Sequence, residues 1–548
     1  MFPRSRRRAA AVAAGVLTLA LTVSGCDSGT DSSDANDLSG NRAGAMADYG
    51  VGQQFKATEP LSFSILHLNN ANYPEKKDWL FWSELTKRTG VTLQPTDVPG
   101  SDYEKKRSLI VGSGDAPFII PKTYPGSETP FVASGAVLPV SDYIDLMPNL
   151  KDKIAKWNLQ ADMDSLRQEN GKYYLLPGVH QDVWVDYSLA VRTDILDKLH
   201  LQIPKTWDQL HDVLKAMKAA YPTVYPFTGR WNIPQAGGSL LSTMGQAYGT
   251  QGGWTYQNAT WDAAAQKFVF TGAMDQYKQM LQELNTFVKE GLIDPESFTQ
   301  SDEVAQQKLA SGKAFVIPSN AQSLVNEYRP ALAKTIPSAK LVKIPVPSGP
   351  AGEVKAGSRL ENGIMISKKA RDSKNFVAMM QFIDWLWYSD AGEEFAKWGV
   401  EGTTYTKDAA GKRTLTQDVN VVGLNPKGTK LLQKDFGFFN GVFAYGGSTE
   451  LLESFFSPEE QEFQKAMAAK KTLAVPPPFP FNSEEREQAT LWETPLKDYV
   501  TQMSLQFILG KRDLSEWDAY VAELKGKKMD SYMDLVNKAY ERYKSDHS

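Results

Sequence analysis

The sequence predicts an α/β protein with two domains, on two observations. Between residues 61 and 120, strand-like and helix-like segments alternate as strand, helix, strand, helix, strand. That order predicts a largely parallel sheet joined by crossover helices. The chain is also long, 548 residues with 42% hydrophobic, enough for a large core and a second domain. A net charge of −4 with no basic block argues against nucleic acid as a partner. Aromatic residues are abundant, with 13 Trp and 22 Tyr, and carbohydrate sites use such planar faces.

The N-terminus predicts an address. Arg4, Arg6, Arg7 and Arg8 form a positive segment, followed by an apolar run over 9–23 that is shorter than the roughly 20 residues a spanning helix needs. LTVSGC at 21–26 resembles a bacterial lipobox. Residues 1–25 are therefore expected to be a signal peptide and Cys26 the lipidated residue. Acyl chains alone would then hold the protein to the extracytoplasmic face of the cell membrane. Cys26 is the only cysteine in the sequence, so neither an intramolecular disulfide nor a cysteine metal cluster can form. Residues 26–57 are poor in large apolar side chains and are expected to be a flexible tether.

The folded part begins at LSFSIL (61–66), a strand, before a polar-aromatic loop to Pro74. Trp79, Trp82 and Leu85 share a helical face over 75–89, which Gly90 ends. VTL (91–93) is the next strand, and Ser101 with Glu104 predicts a capping box for a helix through Val111. FII (118–120) is a buried strand. Ligands collect at the carboxyl ends of such strands, which makes Asn70, Tyr73 and Tyr124 candidates for binding. Thr206 and Gln209 open a helix whose buried face continues through Leu210, Val213, Leu214 and Met217. Residues 225–254 have little periodicity and carry Trp231 and Trp254 as stacking candidates. Phe376, Met379, Met380, Ile383 and Leu386 share one face of a further helix, and the pattern breaks at Gly399 and Gly402. Around that break stand Trp398, Glu401 and Tyr405, which read either as a binding wall or as a core tryptophan beside a loop.

Several motifs in fixed order carry a resemblance. NGKYYLLPGV at 170–179, PKTWDQL at 204–210, GLIDPE at 291–296, SGKAFVI at 311–317 and FILGKRDLSEWDAYV at 507–521 resemble the sugar-type (family 1) extracellular solute-binding proteins of ABC importers. The likeness is to the large lipoprotein branch that includes oligosaccharide binders. It implies a two-lobed, periplasmic-binding-protein-like (class II) fold whose hinge has three crossing segments. Lobe 1 would comprise 58–183 and 348–398, and lobe 2 would comprise 184–347 and 399–548. The resemblance also implies a cleft site: Trp184, Trp231, Trp254 and Trp398 stacking on sugar faces, and Asn70, Glu361 and Glu401 bonding hydroxyls. Tyr73, Tyr124, Tyr187, Arg192, Tyr405 and Tyr445 complete the expected set. The partners implied are a carbohydrate and the transmembrane subunits of a permease, and a monomer suits a receptor that must present its cleft to them.

Catalytic signatures are missing. The five histidines lie too far apart for a local zinc helix, and no GxSxG elbow occurs. Two distant carboxylates could still meet, so a surface glycosidase or lyase stays open as an alternative, as does a peptide or other non-sugar solute. Some alginate-binding relatives carry a calcium loop, but at DMDSL (162–166) Leu166 stands where an oxygen ligand belongs. No metal or cofactor is expected.

Overall fold

The computed structural model describes residues 37–232 and 237–546, so Cys26 and the expected signal peptide lie outside the described residues. Residues 41–546 form one compact unit with two main sheets, of five and three strands, and four two-stranded pairs. The strands used below are β1 (Leu61–Asn69), β2 (Val91–Pro99), β3 (Ile119–Thr123), β4 (Leu176–Val179), β5 (Ser188–Arg192), β6 (Val316–Ser319), β7 (Leu341–Ile344) and β8 (Leu360–Ile366).

The first lobe is built on a five-stranded sheet in the order β2-β1-β3-β8-β4. β1 pairs in parallel with β2 and β3, while β8 runs antiparallel to both of its neighbours. Helix α1 (Leu80–Thr89) stops at Gly90, whose φ of 74° is the left-handed exit that glycine supplies. The expected capping box at Ser101 does not form: a 3-10 turn over Gly100–Asp102 leads directly into the helix Tyr103–Gly112, with no side-chain cap. The second lobe is built on a three-stranded sheet in the order β6-β5-β7, antiparallel throughout. Against it packs α2 (Trp207–Ala220), where the Thr206 hydroxyl accepts the Gln209 N–H at 3.1 Å. The stretch 225–254, expected to be irregular, contains α3 (Gly238–Tyr248), almost wholly buried. A helix hydrophobic all round has no amphipathic period to read.

Two boundaries differ from expectation. Residues 41–57 are held on lobe 1 rather than free: the Gln381 side chain accepts Met46 N–H at 2.9 Å, the Tyr49 hydroxyl donates to Asp384 at 2.9 Å, and Phe55 is fully buried against Phe382. Asp384 also accepts the Asn149 and Leu150 N–H groups, so the segment closes over a buried polar group. The second difference follows Gly399. The chain does not pass at once to lobe 2, because Phe443 stacks on Phe81 of α1, Phe438 meets the same ring edge-on, and the Lys434 carbonyl accepts the Trp79 indole N–H. It changes lobes later, at the helix Pro458–Ala468, where Glu460 meets Lys343 of β7 at 2.8 Å. The last three helices, Ser483–Ile508, Trp517–Gly526 and Met529–Asp546, then share the core of lobe 2.

Candidate functional site

Two groups of side chains, one on each lobe, come close enough to interact: Tyr187 of lobe 2 feels Tyr124 and Glu361 of lobe 1, and Asn72 of lobe 1 bonds Glu327 of lobe 2. The lobe 1 wall comes from the end of β1, the end of β3, the start of β8 and the segment near 441–446. In the loop after β1, Asn70 accepts the Asn72 N–H at 2.9 Å and the Tyr73 N–H, so its role is to shape the turn that presents Tyr73. The Tyr73 hydroxyl reaches the backbone of Gly441, where an added Cβ would lie 2.8 Å away. At the end of β3, Lys122 adopts φ 56°, and its N–H donates to the Tyr445 hydroxyl at 3.1 Å. The Lys122 ammonium lies 5.8 Å from the Tyr124 ring and 6.0 Å from the Tyr445 ring. Among the described residues no carboxylate forms an ion pair with it. Burial works against its charge, but the phenols of Tyr124 and Tyr73 and the Glu361 carboxylate raise its pKa.

Glu361 opens β8. Its Oε2 meets His180 Nε2 at 2.9 Å and accepts the Gly446 N–H at 3.1 Å. Burial alone would raise its pKa, but the His180 contact, the Gly446 N–H and Lys397 together hold the carboxyl down to about 2. Glu361 is thus a fixed anion.

The aromatic wall belongs to lobe 2. Tyr187 lies 5.4 Å from Trp231 and 5.2 Å from Trp254, edge-on to each, and the two indoles are 6.0 Å apart. Small residues let them converge: a Cβ on Gly238 would lie 2.6 Å from the Trp254 indole nitrogen, and one on Gly253 only 2.0 Å from the Gly238 carbonyl. Trp231 itself has φ 60°, and its N–H donates to Asp302 at 3.0 Å. The Arg230 guanidinium lies 4.6 Å over the Trp231 ring. Tyr187 is 42% exposed, although its hydroxyl end is enclosed. Its hydroxyl pKa is raised by burial and then by Asp186, Tyr124 and Glu361, two of which belong to the opposite wall.

The structure therefore gathers Tyr73, Tyr124, Glu361 and Tyr445 on one side and Tyr187, Trp231 and Trp254 on the other. Trp184 stands at the crossing between lobes, 5.6 Å from His180, and lines a small cavity of about 110 Å³ with Asp186, Lys343 and Phe463. Besides Asn70, which shapes its turn, and Trp184 at the crossing, four expected residues fall outside this set. Trp398 is 1% exposed, stacked 4.4 Å from Phe455, and its indole N–H donates to Ser454 at 3.0 Å. Tyr405 is buried beside it with its hydroxyl on Glu394, and Glu401 is exposed on the same hairpin. The glycine break after Trp398 turns a packed corner. Arg192, also buried, ends β5 in a two-pronged pair with Asp194 at 2.7 Å. Asp162 is likewise engaged, by Arg359 at 2.7 Å. Sequence reasoning missed Lys122 and Arg230. Lys122 and Arg230 each adjoin or lie near an aromatic candidate in sequence, and that adjacency was the available signal.

Comparison with known proteins gives consistent results. The profile of the family described as "Bacterial extracellular solute-binding protein" matches residues 74–394. The fructooligosaccharide ABC transporter substrate-binding protein FusA of Streptococcus pneumoniae serotype 4 (strain ATCC BAA-334 / TIGR4) is 24% identical over 506 residues, covering 85% of this chain and 87% of FusA. Lipoprotein LipO of Bacillus subtilis (strain 168) is 32% identical over 143 residues, 25% of this chain and 26% of LipO. The crystal structure of alginate-binding protein AlgQ2 without calcium ion superposes with a TM-score of 0.71 at 22% identity, covering 89% of this chain and 99% of AlgQ2.

Proposed function

Because the chain belongs to the bacterial extracellular solute-binding protein family, we propose that it is the lipid-anchored receptor of an ABC importer and that its cleft closes on an oligosaccharide. It is a binding protein and not an enzyme. The observation that carries the carbohydrate reading is the pairing of Tyr187, Trp231 and Trp254 with a facing wall of Tyr73, Lys122 and Glu361. Indole and phenol faces suit the apolar faces of sugar rings, while fixed donors and acceptors suit the hydroxyls. A wrong epimer would leave some of those buried groups unpaired. FusA is named for a fructooligosaccharide and AlgQ2 for alginate, which supports a saccharide of more than one residue. Closure is a hinge motion about the crossing segments, stabilised by contacts that only the closed form makes to both faces of the ligand. Lipidation at Cys26 would hold the monomeric receptor beside its permease, and the likeness to LipO supports that placement.

Thermal-shift measurements against fructo-oligosaccharides, oligoalginates, oligogalacturonides and peptides test this reading. A ligand that binds only the folded state stabilises it, by about 2.7 kcal/mol at one hundred times its Kd, and so raises the melting temperature. We expect a rise with one oligosaccharide series and no turnover of it. A rise with peptides alone, or no rise with any saccharide, would overturn the carbohydrate assignment.

A further inference from the structure

One carboxylate joins the two lobes and also holds the aromatic wall. Glu327 lies in a single π-helical turn, Leu324–Tyr328, a distortion that recurs at functional sites. Its Oε1 is shared between the lobes, since the Ser323 hydroxyl of lobe 2 also donates to it at 3.5 Å, while its Oε2 serves lobe 2 alone. Oε1 accepts the Asn72 side-chain N–H at 3.3 Å, and Asn72 belongs to the lobe 1 loop after β1. Oε2 pairs with Arg230 Nη2 at 2.7 Å and accepts the Gln306 side chain at 2.9 Å. Arg230 is 5% exposed and also donates to the Tyr328 hydroxyl at 2.7 Å, which in turn donates to the Pro318 carbonyl at 2.8 Å. The guanidinium fixed in this way is the group that lies over Trp231.

We propose that Glu327 is a positioning residue that couples the approach of lobe 1 to the orientation of the Trp231 ring, through Arg230. The proposal deepens the reading of the cleft as a saccharide site and rests on it for its purpose, but not for its geometry. When Asn72 donates to Oε1, the carboxylate is held from both sides, and the Arg230 plane and the Trp231 face are held with it. When the lobes part, Oε1 loses its lobe 1 donor, and Arg230, which Asp302 at 3.6 Å and Tyr328 also hold, pairs with a carboxylate fixed from lobe 2 alone. A guanidinium suits this task because its planar fork transmits orientation, which an ammonium cannot do. The platform would then be set for stacking only in the closed form, where a ligand is enclosed.

The test is a ligand-free measurement on the full chain labelled with 5-fluorotryptophan, the Trp231 fluorine resonance being assigned by Trp231→Phe. Asn72→Ala touches lobe 1 only, and we expect it to move the Trp231 resonance by more than its linewidth with an unchanged melting temperature. Glu327→Gln keeps the side-chain volume but leaves one acceptor oxygen for four donors, Asn72, Ser323, Arg230 and Gln306. In that background Asn72→Ala should no longer move the resonance. Arg230→Lys keeps the charge and should shift the resonance while also cancelling the Asn72 effect. If Asn72→Ala leaves the Trp231 resonance in place, or moves it equally in the wild-type and Glu327→Gln backgrounds, the coupling does not exist. That failure is separate from failure of the carbohydrate reading, which the saccharide panel decides alone.

Discussion

Trp398→Ala separates a core residue from a binding residue. Trp398 is 1% exposed and makes a stacked contact with Phe455 at 4.4 Å and a tilted one with Tyr405 at 5.6 Å. Truncating a buried tryptophan costs about 3–5 kcal/mol, which includes the cavity left behind. The lost indole bond adds little here, because Ser454 keeps its own donor bond to the Leu451 carbonyl at 2.6 Å. The expected loss is therefore about 4 kcal/mol. For domains of 150–250 residues 1 kcal/mol moves the melting temperature by roughly 2–4 °C, and the shift per kcal/mol falls with size. A body of this size should fall by about 4–8 °C. The assay pairs calorimetric melting with saccharide affinity measured well below the transition, where affinity should stay within about twofold of wild type. An unchanged melting temperature with affinity weakened tenfold or more, about 1.4 kcal/mol, would refute the packing argument and return Trp398 to the site.

Two further substitutions follow from the same geometry. Trp231→Ala should have the opposite profile, with saccharide affinity falling about tenfold or more and a smaller change in melting temperature than Trp398→Ala, because a half-buried platform contributes to the ligand more than to the core. Equal affinity for the variant and wild type would remove Trp231 from the site. Glu128→Gln is a test by pH. Glu128 is 1% exposed, and burial pushes its carboxyl up to about 7, against the opposing backbone N–H groups of Glu128 and Gly126 and the charge of Arg107. Between the ordinary carboxyl range near 4.5 and about 7, the native state holds a proton that the unfolded chain has lost, so native stability falls as pH rises through that window. The glutamine variant should match wild type near the bottom of the window. Above it the variant should be more stable by up to about 3 kcal/mol, taking about 1.36 kcal/mol per unit. Parallel stability curves for the two proteins would show that Glu128 does not titrate as argued.

The fold was legible where a single physical signal dominated. The alternation in β1 and the αL stop at Gly90 mark lobe 1, and the Thr206 cap with its buried face marks α2, because local periodicity and capping agree with tertiary burial there. The helix Gly238–Tyr248 was illegible for the opposite reason, since burial on every side erases its period. The site was legible by residue type and not by address. An aromatic and a carboxylate on a glycine-rich loop describe the Trp398 corner and the Trp231 platform equally well, and only tertiary contacts separate them. Trp398 turns into Phe455, whereas Trp231 is turned toward Tyr187. The segment after Gly399 misleads in a similar way: its aromatics belong to the α1 core, and no local signal states which lobe an aromatic will join.

Backbone strain supplies what the sequence pattern lacks. Lys122 and Trp231 both adopt positive φ, at 56° and 60°, in a region where a residue with a Cβ costs on the order of 1–3 kcal/mol. Glycine would relieve either position, but it would bring neither an ammonium nor an indole to the cleft. In both cases the strained residue's N–H is held by a side chain from elsewhere in the chain: the Tyr445 hydroxyl for Lys122 at 3.1 Å and the Asp302 carboxylate for Trp231 at 3.0 Å. One lies on each wall, and each side chain is directed among the aromatic rings of its wall. Strain held by a dedicated acceptor on both faces of one cleft is hard to attribute to packing, because packing alone would favour the unstrained glycine. It follows if both side chains must stand at fixed places to meet a ligand that enters between them.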